Sequence, residues 1–169
     1  MSFHTESPLD ATDWHILREL QKDARLSFNE LGRRVALSAP AAAERVRKLE
    51  DRGVITGYGA QIDPAQVGLP MLVFMQLRCD PEKCLLRTST PDAFPEVLEF
   101  HKLSGSVCTL LKAAVASMQH LEALLERLSQ HGHVTVNIVM SSALTNRIID
   151  WENPDVDVIP RAPATWMNE

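Results

Sequence analysis

An α+β fold in two units is predicted: an N-terminal winged helix-turn-helix followed by a C-terminal ferredoxin-like βαββαβ domain. Three observations carry this. Residues 25–58 read as two short capped helices, the second of them basic, followed by a Gly-bounded apolar stretch. Residues 59–70 collect Gly, Pro and Asp, and from Met71 the apolar period changes from that of helices to that of strands. Beyond that point strand-like and helix-like stretches follow in the order β-α-β-β-α-β, the split βαβ unit.

In chain order, residues 1–8 are polar and are expected to be disordered. Asp10 is placed to cap a helix over Ala11 to Lys22, with Trp14, Leu17 and Leu20 on one face and Ile16 beside them. Ser27 caps the next helix, Glu30 stands where a capping box requires it, and Leu31 and Val35 form an i, i+4 apolar pair. Leu37 and Ser38 make a turn. Ser38 caps the third helix, and Pro40 is tolerated in its first turn. That helix buries Ala42, Val46 and Leu49, while Arg45, Arg47, Lys48 and Arg52 occupy its other faces. Gly53 ends it, and Val54-Ile55 with Tyr58 are expected to form a strand, the start of a wing. Two helices joined by a tight turn, the second basic, present that second helix to the major groove. The expected domains are residues 9–58 for the winged helix-turn-helix, 59–70 for a hinge strand or linker, 71–142 for the ferredoxin-like domain and 143–169 for a C-terminal arm.

Within the second domain, Met71 to Leu77 is a near-continuous apolar run, the pattern of a strand buried on both faces. A short helix is expected within Pro81 to Ser89. Strands are expected over Val97 to Leu103 and Val107 to Val115 around a Ser104-Gly105-Ser106 turn. Ser117 to Ser129 is an amphipathic helix with Met118, Leu121, Leu124, Leu125 and Leu128 along one stripe. Val134 to Met140 is the last strand.

The formal net charge of −5 argues against a uniformly basic nucleic-acid binder, but the charge is unevenly distributed. Residues 25–53 hold seven Lys/Arg against four Asp/Glu, and residues 61–169 hold eight against thirteen. A mildly basic patch joined to an acidic second half suits a DNA reader that acts as several copies, since few phosphate contacts per protomer give modest affinity. No apolar run approaches membrane-spanning length, and the N-terminus has no basic start or apolar core, so neither a membrane span nor a signal peptide is expected. Three cysteines without a paired spacing suggest free thiols in a reducing compartment, and the expected location is cytoplasmic. Cys79-x4-Cys84 and His131-x-His133 match no zinc spacing, so no metal and no cofactor is expected.

These residues resemble the Lrp/AsnC (feast/famine) family of transcriptional regulators. Leu9-Asp10 with Asp13, Ile16-Leu17 and Leu20 are similar to the family's opening helix, and Asp23-Ala24-Arg25 to its first turn. Leu37-Ser38, Glu44 to Glu50, Gly53-Val54-Ile55 and Gly57-Tyr58 resemble its recognition helix and exit strand. Asp63-Pro64 and Gly68 stand as its hinge does, and Leu103-Ser104-Gly105, Leu110-Leu111-Lys112 and Val136 to Met140 resemble its effector domain. The resemblance implies a homodimer that assembles to an octamer or similar ring, binds double-stranded DNA and responds to a small-molecule effector of the amino-acid class.

For DNA contact the residues singled out are Ser38, Ala39, Pro40, Ala43, Arg45, Arg47, Lys48 and Arg52. Arg47 and Lys48 suit phosphates, and Arg45 suits a guanine edge or a phosphate. Pro40 to Ala43 offer little hydrogen bonding, so base readout is expected to be thin and DNA shape to matter. For the effector they are Leu103, Ser104, Gly105, Ser106, Val107, Cys108, Val134 and Val136. Here the chain departs from the family, whose usual acidic turn is replaced by Gly105-Ser106-Val107-Cys108 and whose last-strand threonines are replaced by Val134 and Val136. A different, less polar ligand or an empty turn is therefore expected as readily as an amino acid. Two alternatives stand beside the regulator: an architectural DNA-binding protein without an effector, and a tetrapyrrole decarboxylase of the same fold. The enzyme would need convergent basic and His residues, yet only His101 lies beside the effector region, and no catalytic residue is assigned.

Overall fold

The computed structural model describes residues 9–80, 82–85 and 91–150. The expectations for residues 1–8, for most of the helix within Pro81 to Ser89 and for the tail beyond Asp150 lie outside the described residues. The chain divides into two compact units, one running to Gly59 and taking up the chain again from Asn146, the other spanning Ala60–Thr145.

The first unit holds α1 (Ala11–Lys22), α2 (Phe28–Arg34) and α3 (Ala39–Asp51). Each starts on a polar cap. Asp10 and Asp13 form a reciprocal capping box on α1, Ser27 accepts from the Glu30 N–H on α2, and Ser38 accepts from the Ala41 N–H on α3. Glu30 does not complete a box of its own, because its carboxylate is taken by Arg33 and Arg34 at 2.7–3.0 Å. That pairing holds the Glu30 carboxyl at about 2. Ile16, Leu17, Leu31, Val35, Ala42, Val46 and Leu49 form one core, joined at its margin by Trp14, Leu20, Leu26, Leu37 and Ile55.

The turn between α2 and α3 is tight. Gly32 lies where a Cβ would come within 2.6 Å of the Leu37 carbonyl oxygen, and that turn is closed by Leu37 N–H donating to Gly32 O at 2.8 Å. Ala36 adopts a left-handed backbone, φ 56°, which costs an L-residue roughly 1–2 kcal/mol. Ala36→Gly should relieve most of this and lose part of the gain to unfolded-chain entropy, a net stabilisation of about 0.5–1 kcal/mol in urea melts.

After α3 the expected wing strand is not formed. Val54 and Ile55 N–H groups both donate back to Leu49 O at 2.9 and 3.1 Å, and the described residues hold no strand between α3 and Met71. An extended segment needs a ladder partner, and the backbone here turns back on its own helix instead. The beginning of the expected C-terminal arm is docked. Gln21 exchanges hydrogen bonds with the Ile149 backbone at 2.7 and 2.8 Å, and Arg18 takes Asp150 in a fork at 2.8 and 2.9 Å.

The second unit is a four-stranded antiparallel sheet, β1 (Met71–Cys79), β2 (Val97–Lys102), β3 (Thr109–Val115) and β4 (Gly132–Ile138), in the order β2-β3-β1-β4, with α4 (Met118–Ser129) between β3 and β4. This is the ferredoxin-like strand order. Ser117 caps α4, whose buried stripe is Leu121, Leu124 and Leu128; Met118 is exposed. Val73, Met75, Leu77, Leu85, Phe94, Leu111, Ala113 and Val115 complete the core on one face of the sheet. Met71 to Leu77 is therefore not buried on both faces. Its alternate residues Val73, Met75 and Leu77 are fully buried, while Gln76 and Arg78 on the other face are exposed. Glu96, just before β2, accepts from His120 of α4 at 3.2 Å and pairs with Arg127. Among the described residues no helix is long and apolar enough to cross a membrane.

Candidate nucleic-acid interface and ligand pocket

On α3 the helical period separates a buried stripe from an outward row of Ser38, Pro40, Glu44, Arg47 and Lys48. Ala39 and Ala43 are half-buried beside them, so close approach rather than hydrogen bonding is what this end of the helix offers. Arg47 and Lys48 have side chains 66% and 67% exposed and share Glu44 at 2.9 and 3.8 Å. Exposed pairs of this kind are worth about 0–1 kcal/mol, so Glu44 restrains neither cation strongly.

Arg45 and Arg52 stand apart from this row. The Arg45 guanidinium reaches Asp10 at 2.6 Å and Asp13 at 2.8 Å, tying α3 to the start of α1. Arg52 is the half-buried C-cap of α3. Arg45, which the sequence suits to a guanine edge or a phosphate, bonds to α1 in this structure, because position 45 directly precedes buried Val46 and faces the neighbouring helix. Arg45→Ala is expected to lower stability by about 1–2 kcal/mol and to leave DNA affinity of the folded chain nearly unchanged, read by urea melts beside binding titrations.

The same network sets a pH dependence. The Asp13 N–H and then Arg45 hold the Asp10 carboxyl below its ordinary 3.8, and Arg34 followed by Lys22 hold Glu19 below 4.5. A depressed carboxyl contributes stability that is complete above its unfolded value and is lost as pH falls through the folded one. The first unit should therefore be evenly stable above about pH 5 and weaken progressively below about pH 4, as urea melts against pH would show.

In the second unit an open cavity of about 210 Å³ is lined by Gln76 and Arg78 of β1, His133 and Thr135 of β4, and Ser106 and Val107 of the β2–β3 loop. Of the residues picked from the sequence, Ser106 and Val107 line it; Leu103, Ser104, Gly105 and Cys108 do not. Val134 and Val136 do not either. They pair with Leu77 and Met75 and pack on the core, so their neighbours His133 and Thr135 face the cavity opposite Arg78 and Gln76. A shift of one residue along a strand exchanges its faces. The missed signal was the alternation Gln76, Arg78 and His133, Thr135, two polar pairs at a period of two. The lining consequently mixes apolar surface with polar groups and includes a guanidinium, which suits a carboxylate. His101 lies on β2 paired with Glu99 at 3.2 Å and does not line the cavity.

The cysteines are not all free thiols. Cys79 and Cys108 form a disulfide, and the Cys84 sulfur lies beside them. Cys108 belongs to the loop before β3 rather than to the strand.

A three-helix unit with an exposed basic recognition helix, followed by a sheet domain with a small cavity of mixed lining, defines a helix-turn-helix transcription regulator with a ligand-binding domain. A model of the AsnC-type helix-turn-helix domain matches residues 9–50, and one of the Lrp/AsnC ligand binding domain matches residues 72–149. The chain belongs to the Lrp/AsnC family. It is 38% identical over 135 residues to the HTH-type transcriptional regulator YezC of Bacillus subtilis, covering 80% of this chain and 96% of that relative. Among solved structures it is similar to LrpC of B. subtilis, with TM-score 0.77 and 30% identity over 82% of this chain and 99% of that one. It is also similar to the feast or famine regulatory protein of M. tuberculosis complexed with L-methionine, with TM-score 0.76 and 32% identity over 83% and 97% of the two chains.

Proposed function

We propose that this chain is a sequence-specific regulator, not an enzyme, in which Ser38, Arg47 and Lys48 meet the DNA backbone and Ala39, Pro40 and Ala43 allow α3 close approach to the bases. Arg45 and Arg52 support the helix rather than read DNA. The outward row on α3 carries this reading: it offers two exposed cations and few base-reading groups, so phosphate contact and DNA shape dominate. Such a short row per protomer favours a homo-oligomer, a dimer or a higher ring such as an octamer, acting in the cytoplasm.

The second unit binds a small effector with a carboxylate, of the amino-acid class. Support comes from Arg78 facing Gln76, Thr135, His133 and Ser106 around a volume below the roughly 300–1,000 Å³ of pockets for drug-sized ligands. The relative complexed with L-methionine points the same way.

The test is a pull-down of fragmented genomic DNA by the purified protein at near-physiological salt, with and without a panel of amino acids. Enrichment of a few discrete loci that shifts with one amino acid, and no longer shifts in Arg78→Ala, is the expected result. Discrete loci indifferent to every amino acid would refute the effector, and uniform binding would leave an architectural DNA-binding protein.

A further inference from the structure

Beyond DNA and effector binding, the cysteines form a cluster of their own. Cys79 closes β1, Cys84 lies in the following loop and Cys108 ends the β2–β3 loop; their three sulfurs all lie within 4.8 Å of one another and each residue is half-buried. The fold builds this convergence. β1 pairs with β3 as far as Leu77 and Thr109, and just beyond that last pair Cys79 and Cys108 are joined. The loop carrying Cys84 is fastened to the start of β4 by Asp80 N–H donating to His131 O at 3.0 Å, by Lys83 N–H donating to Asp80 O at 3.1 Å and by a 3.0 Å contact of His131 Nδ1 with Lys83 O.

We infer that in the reduced chain these three sulfurs are a binding site for a thiophilic cation of the Cu(I) class. Metal–sulfur bonds of about 2.3 Å place three thiolates about 4 Å apart around one ion, a spacing the cluster reaches once the disulfide opens. Soft sulfur ligands select Cu(I) or zinc. Among the described residues the group is three sulfurs with no His or carboxylate, which suits a three-coordinate ion better than zinc, which fills four positions. The Cys79 N–H at 3.1 Å and the Thr109 hydroxyl at 3.4 Å both donate to Cys108 Sγ, as a thiolate requires. The Leu77 carbonyl, 3.0 Å from the same sulfur, accepts from the thiol until the ion displaces its proton.

The balance is simple. Two equivalents of an external thiol reduce the Cys79–Cys108 disulfide to two thiols and leave as one external disulfide. Binding then releases three protons from Cys79, Cys84 and Cys108. Cys108 adjoins Val107, which lines the effector cavity, so an ion at the sulfurs acts on the loop that shapes that cavity.

The full-length protein, reduced with a phosphine and kept from oxygen, is titrated with Cu(I) against a bicinchoninate competitor. The expected result is one Cu(I) per chain with ultraviolet thiolate-to-metal absorption, an affinity lower on the order of 100-fold in Cys84→Ser, and no binding by the oxidised chain. Cys84→Ser leaves both disulfide partners in place, and its circular dichroism verifies the fold. Undiminished binding by Cys84→Ser, binding by the oxidised chain, or no binding by the reduced wild-type chain would overturn the site. Preference for Zn(II) over Cu(I) would overturn the class of ion. None of these readouts depends on DNA or on an amino acid.

Discussion

Gly132→Ala is expected to destabilise the second unit by roughly 3–5 kcal/mol, about a fifth or more of the stability of an ordinary domain. Gly132 opens β4 opposite Cys79, the last residue of β1. A Cβ there would stand 2.2 Å from the Arg78 carbonyl oxygen and 2.9 Å from the Cys79 Cα, and the backbone has φ 148°. Both obstacles are backbone, so no side chain can swing away. The strands must part where Arg78 and His133 line the cavity and where Cys79 meets Cys108. Gly105→Ala is the control. It also has a positive φ, 110°, but its Cβ would meet nothing within 4 Å, so only the backbone preference, about 1–2 kcal/mol, is lost. Thermal and urea melts of the two variants separate the clash from the conformational term. Equal, small effects would show that the β1–β4 junction is looser than described.

The second large effect is on DNA. Arg47→Ala/Lys48→Ala should weaken binding on the order of 10–100-fold at near-physiological salt and flatten the dependence of log affinity on log salt by about two for each protomer engaged. Both side chains are about two-thirds exposed, so the melting curve should stay within about 0.5 kcal/mol of wild type. Arg45→Ala provides the opposite signature, a shifted melt with an unshifted salt slope. An unchanged salt slope in the double variant would remove α3's outward row from the interface.

Much of the fold was legible because its signals are local. Caps at Asp10, Ser27, Ser38 and Ser117 each satisfy N–H groups of their own helix, and the Ala42, Val46, Leu49 and Leu121, Leu124, Leu128 stripes follow from helical period alone. The exposure of Arg47 and Lys48 was legible too, because it follows from that period. A side chain's partners were not legible where a neighbouring element supplies them. Arg45 looks like any other helix cation until α1 brings Asp10 and Asp13 to it. Val134 and Val136 attracted notice as apolar substitutions, yet the pairing of β4 with β1 turns them to the core and gives the cavity to His133 and Thr135.

By itself the sequence determined the three helices of the first unit, the four strands and the long helix of the second, where the caps fall, the division into two units and the family. Only the tertiary structure decided which strand face lines a cavity, that Arg45 bonds to Asp10 and Asp13, that no wing strand pairs after α3, and that Cys79, Cys84 and Cys108 meet. The physical reason is range. Capping and periodicity act over a few residues along the chain, whereas strand register and ion pairing join residues such as Arg45 with Asp10 or Cys79 with Cys108 that only the packed fold brings within bonding distance.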